Sequence, residues 1–110
     1  MPYDPELVER VREVIAGRPG FDERRMFGGV AFLLHGHIAV AASGRGGLMV
    51  RVSRPDFESL VGHAHVEPMT MGGREMRGWL LVHDPGMKTA RQLRGWVDRG
   101  IAFARDLPPK

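Results

Sequence analysis

The sequence predicts an α+β fold: an antiparallel sheet packed with helices, in the order α-β-β-β-α-β-β-α. Three observations predict it. Apolar residues near both ends of the chain recur every three to four positions, the spacing of an amphipathic helix. Between them lie apolar runs of strand length, chiefly Val30 to Leu34 and Ile38 to Ala42, bounded by glycine-containing turns. Those turns are short, whereas parallel neighbours need a crossover of about a dozen residues or more, so consecutive strands form an antiparallel meander.

The first helix opens at Asp4-Pro5. Asp4 can accept hydrogen bonds from the free N–H groups of the first turn, and proline suits the first helical position. Leu7, Val8, Val11, Val14 and Ile15 form its apolar stripe, and Gly17 and Pro19 end it. Asp22, Glu23, Arg24 and Arg25 read as a solvated, charged loop. The first strand is expected from Met26 to Leu34, followed by the turn His35-Gly36-His37. Ile38 to Ser43 is the second strand, Gly44-Arg45-Gly46-Gly47 a hairpin loop, and Leu48 to Val52 the third strand.

Ser53-Arg54-Pro55-Asp56 carries a serine cap, an early proline and an acid three residues on, the marks of a helix start. Phe57, Leu60 and Val61 are its apolar side, and Gly62 closes it. His63 to Pro68 is expected to be extended, Thr70 to Arg74 a turn, and Glu75 to His83 a strand, stopped by Asp84-Pro85-Gly86. The last helix starts near Thr89 and buries Leu93, Trp96, Val97, Ile101, Ala104 and Leu107 before Pro108-Pro109. Gly95 and Gly100 each weaken it by roughly 1 kcal/mol relative to alanine, tolerable where the helix packs closely on the sheet.

Composition narrows the function classes. There is no cysteine, which excludes disulfide scaffolds, thiolate zinc sites and cysteine nucleophiles, and fits a reducing compartment. No apolar run approaches the roughly 20 residues of a membrane helix, and the acidic N-terminus lacks the basic opening of a signal peptide. The expected location is the cytoplasm. Sixteen basic residues against 13 acidic ones give a net charge of only +3. Such mild basicity permits nucleic-acid contact without requiring it. With no repeat, linker or low-complexity tract, residues 1–110 read as one domain.

The segment Arg25-Met26-Phe27-Gly28-Gly29, at the expected start of the first strand, closely resembles the opening signature of the TfoX N-terminal domain family, the TfoX/Sxy competence regulators. The likeness continues in register through Gly36, through Leu48-Met49-Val50-Arg51-Val52, and through Met76-Arg77-Gly78-Trp79-Leu80-Leu81-Val82, and spans about residues 5 to 107. Arg51 stands where a lysine is usual and Trp79 where a tyrosine is common; Ala31 and His83 depart from a frequent glycine and proline. The resemblance implies a secretion-chaperone-like fold and no known catalytic activity. Full-length members carry a second, C-terminal domain and act in competence gene regulation with the cyclic-AMP receptor protein; this chain stops before such a domain.

The residue patterns themselves offer little chemistry. Gly28 and Gly29 lead into a strand with no Gly-Lys-Ser/Thr after them, so a bulge or close backbone packing explains them better than phosphate binding. Ser43, Ser53 and Thr70 lie outside any nucleophile signature. His35 and His37, and His63 and His65, are each two apart, a spacing that suits chelation on a strand, and His83 could join them, but no metal motif is present. Trp79 and Trp96 read first as core anchors, with Trp79 the candidate for a contact surface. Met26, Met49, Met69, Met71 and Met76 add adaptable apolar surface, and Met69 and Met71, flanking a turn, are expected to be exposed.

These readings converge on a non-enzymatic protein-interaction or regulatory module without cofactor, metal or catalytic residues. Its expected partner is another protein or a second copy in a homodimer. The candidate interface is the family motif Arg25, Met26, Phe27, Gly28 and Gly29 together with Arg51 and Trp79. The alternative is a nucleic-acid-associated regulator that uses Arg24, Arg25, Arg51, Arg74 and Arg77 on phosphates.

Overall fold

The computed structural model describes residues 3–26 and 28–108; Phe27, expected as a core or interface residue, lies outside them. Helix α1 (Pro5–Ile15) starts as expected: the Asp4 carboxylate accepts the Glu6 N–H at 2.9 Å, and Leu7, Val8 and Val11 are buried. Four strands precede the next helix: β1 (Phe21–Met26), β2 (Gly29–Leu34), β3 (His37–Ala42) and β4 (Leu48–Arg51).

The extra strand is β1, which the sequence reading placed in a charged loop. Its register with β2 runs from Phe21 opposite Leu34 to Met26 opposite Gly29. Four charges between two apolar residues hide the period of a strand, yet they suit an edge, where charge discourages pairing with another chain. Glu23 is held from the helix side, accepting from the Arg12 Nε at 2.9 Å, while Glu9 accepts from Arg12 Nη1 at 2.6 Å. Those contacts, Glu23 first, raise the pKa of this exposed guanidinium.

Helix α2 (Arg54–Leu60) is capped by the Ser53 hydroxyl, which accepts the Asp56 N–H at 3.3 Å. Strands β5 (Val66–Met71) and β6 (Arg74–Val82) form the last hairpin. Its turn is shorter than expected, because pairing resumes past an irregularity at Pro68, with Thr70 opposite Glu75 and Met71 opposite Arg74. A short 3-10 turn, Asp84–Met87, leads to α3 (Ala90–Arg105), where Thr89 and Gln92 cap each other's backbone reciprocally.

The sheet has the order β1-β2-β3-β4-β6-β5, with every pair antiparallel. The α+β class and the helix order follow the sequence expectation. Residues from all three helices join one core against one face of the sheet, centred on Phe32, Val40, Leu48, Val50 and Leu80. Two glycines permit the closest approaches. A Cβ on Gly29 would stand 2.1 Å from the Ala42 carbonyl oxygen, and one on Gly100 would stand 2.3 Å from that of Ala39. α3 therefore rests almost directly on the β3 backbone, as its glycine content anticipated. Gly95, with nothing near its missing Cβ, has no such reason.

Trp96 is only half-buried at the core margin, where its indole N–H donates to the Gly86 carbonyl at 3.2 Å. Beyond α3 the chain turns back toward the sheet, and the His37 Nε2–H donates to the Pro108 carbonyl at 2.6 Å.

Candidate functional site

All three helices lie on one side of the sheet, so the other side meets solvent. A water-facing antiparallel sheet ordinarily alternates apolar residues inward with polar ones outward. Here the outward positions are apolar as well. Ala31, Leu33 and Ala41 form a second buried cluster on that side, and Met26, Ile38 and Met49 pack over it. The small residues occupy the floor and the methionines screen it from water.

Between the methionines lies a shallow hollow of about 220 Å³. Met69, Met71, Met76 and Trp79 enclose it from β5 and β6, while Met26 and Met49 close the opposite side. Its size is below the ~300–1,000 Å³ of small-molecule sites, and it fits one or two side chains of another polypeptide. Of its walls, Met71 is 39% exposed whereas Met69 is only 4% exposed. The expectation of two exposed methionines thus holds for Met71 alone; the irregular register near Pro68 turns Met69 down into the sheet. Trp79, read first as a core anchor, is instead half-buried on this open side and absent from the helix-covered core.

Beside Trp79 stands Arg51, its direct partner across β4 and β6. The guanidinium carbon lies 5.2 Å from the Trp79 ring centroid and 4.7 Å from that of Phe103 on α3, within cation–π range of both. Burial lowers the Arg51 pKa, with no neighbouring carboxylate to offset it. The ion pairs among the described residues use Arg12, Arg18, Arg99 and His83, not Arg51. Arg51 and Arg24 also border a second hollow of about 300 Å³, which shares Met26, Ile38 and Trp79 with the first.

The predicted interface residues thus divide. Met26, Arg51 and Trp79 come together on the open side. Arg25 faces away from it, paired with the core residue Val30. Gly28 has a φ of 77° and forms the turn between β1 and β2, and Gly29 serves the close strand approach. Sequence reasoning missed Ala31, Leu33 and Ala41. Their signal was present: β2 and β3 are continuously apolar, a pattern that implies both faces are screened, although a meander has one face free.

The remaining candidates stay apart. Among the described residues, no three histidine or acidic side chains converge on a metal site. His83 Nε2 pairs with Glu67 at 2.5 Å, and the His83 N–H donates to the His65 carbonyl. Ser43, expected in a loop, is buried at the end of β3, where its hydroxyl accepts the Arg45 N–H. Every described buried side-chain polar atom has a hydrogen-bond partner.

Fold and surface together define an α+β domain that covers one face of its sheet with helices and leaves a methionine-rich apolar face open. The family model of the TfoX N-terminal domain matches residues 13–104, and the chain belongs to that family. The family is not one of known enzymes. No curated protein and no solved structure matches the chain. No described helix is long and apolar enough to cross a membrane.

Proposed function

We propose that this domain is a non-enzymatic, regulatory protein-interaction module of the cytoplasm, and that it meets its partner through the open face of the sheet. One observation carries this reading: the side of the sheet that faces water is apolar over most of its width. Large contiguous apolar patches on soluble proteins mark contact sites. Methionine and tryptophan suit the task, the first by adapting its shape and the second by anchoring. A homodimer built on this same face is the second form of the reading, favoured by the exposure of Met71.

The nucleic-acid alternative has less support. Arg24 and Arg25, adjacent on β1, point to opposite sides of the sheet. Arg51 is stacked between rings, and Arg77 shares its hollow with Glu58 and Glu75. Phosphate recognition wants such cations on one surface.

Met49→Glu tests the reading by placing a charge in the middle of the face. The variant is expected to keep its far-ultraviolet circular dichroism and to lose binding to the native partner, or self-association in sedimentation. If it binds and associates as the wild type does, the open face is not the contact surface. A low-salt mobility shift with duplex DNA is expected to show no complex; a complex whose affinity falls steeply with salt would favour the alternative.

A further inference from the structure

The charges around the open face are lopsided. No carboxylate lines either hollow; the cations lining them are Arg45, Arg24 and Arg51. Two carboxylates share this side, Asp22 and Glu67, both on edge strands. Glu67 is taken by His83, and Asp22 lies two positions from Arg24 on the same side of β1, near enough to balance it. The uncompensated charge therefore rests with Arg45 and Arg51. Arg51 borders a third, polar hollow too, but the carboxylates there, Glu58 and Glu75, are matched by Arg54 and Arg77. Arg45 gives one N–H to the Thr70 carbonyl at 3.0 Å and keeps its other donors.

These two arginines stand at opposite ends of the apolar floor. Arg45 lies in the loop after β3, and Arg51 ends β4 beside the start of β3. Strand rise puts the span from Ile38 to Ser43 at about 16 Å. A helix of about 12 residues covers roughly 18 Å. Resting on the reading of the open face as a contact surface, we infer that its partner is an acidic amphipathic segment. It lays one apolar side along the methionines and presents a carboxylate at each end, to Arg45 and to Arg51. The Arg51 guanidinium, fixed between two rings, is set for two-pronged carboxylate recognition. A second copy of the chain fits less well, because a two-fold interface sets the same patch against itself and brings these cations together without carboxylates to meet them.

The test uses the full chain and two synthetic 12-residue amphipathic helices with identical leucine stripes, one ending in glutamates and the other in lysines. Binding is followed by calorimetry and by the methionine methyl signals. Met49, Met69, Met71 and Met76 report on the open face, and Met87, inaccessible in the core, is the internal control. The glutamate peptide is expected to bind at least tenfold tighter at low salt, to move the open-face methyls and to leave Met87 still. Added salt narrows the gap. Arg51→Glu is expected to abolish or reverse the preference. Arg45→Glu, in an exposed loop with no packing to lose, is expected to weaken it even if the Arg51 variant misfolds. Equal affinity for both peptides with the same methyl shifts would overturn the acidic partner while leaving the open-face reading intact. Methyl shifts that track the protein's own concentration, with a doubled mass, would give the face to a second copy. A monomer whose methyls ignore both peptides would defeat the inference and the reading beneath it.

Discussion

The two faces of the sheet are built from alternate residues of the same strands, yet they use different side chains. Along β2, Phe32 points to the helices and Ala31 and Leu33 point away; along β4, Leu48 and Val50 point in and Met49 points out. The covered face is rich in branched and aromatic side chains, which hold few rotamers and interlock with the helices at the density of a molecular crystal. The open face is alanine and methionine, of low relief and easily reshaped. A core made that way would specify its packing poorly. A surface made that way can accommodate a partner, so the difference separates the face that fixes the fold from the face available for contact.

The comparison breaks if truncation is equally damaging on both sides. Phe32→Ala, at a fully inaccessible site, is expected to cost about 3–5 kcal/mol. At about 4–8 °C per kcal/mol for a domain near this size, the melting temperature should fall by well over 10 °C. Met49→Ala leaves a partly covered site whose neighbours can relax, and its cost should stay below about 2 kcal/mol. Chemical denaturation of the two variants side by side measures the ratio. Equal losses would mean that the open face is structural core, covered in a way the isolated chain does not display.

The next largest effect is expected where α3 meets β3. Gly100→Ala adds a methyl group 2.3 Å from a backbone carbonyl oxygen that cannot rotate aside. The helix must lift, against its gain in propensity, and the expected net destabilisation is about 1–3 kcal/mol. A melting temperature at or above that of the wild type would show that the helix does not lie as close to the sheet as Ala39 and Gly100 place it.

Much of this was readable from the chain itself. Asp4, Ser53 and Thr89 marked the three helix starts because a short polar side chain before an apolar stripe has one main structural use, to hold the first-turn N–H groups. Glycine turns between apolar runs forced the antiparallel meander. What stayed hidden was non-local. β1 has no alternation, since its charges are set by its place at an edge, and an edge is defined by which strands pair, not by composition. Met69 and Trp79 could not be assigned to a side, because the irregularity at Pro68 and the positive φ of Gly78 reset the alternation ahead of them. Arg51 looked like any other arginine until α3 brought Phe103 over it. The candidate surface was legible in its residue types, the methionines above all, and not in its assembly.

The smallest expected effect concerns the outer side of α3, where Gly95 has no neighbour to accommodate. Alanine there should stabilise the domain by about 0.5–1 kcal/mol, since it restricts the unfolded chain and favours the helix without meeting anything. Gly95 lies beside Asp98 and Arg99, away from the open sheet face, so partner binding should not change. A rise of a few degrees in melting temperature with unaltered affinity fits a molecule whose contacts are all made on one side. A rise in stability coupled to weaker binding would show that this helix surface is used too, and would give the glycine a reason that packing does not supply.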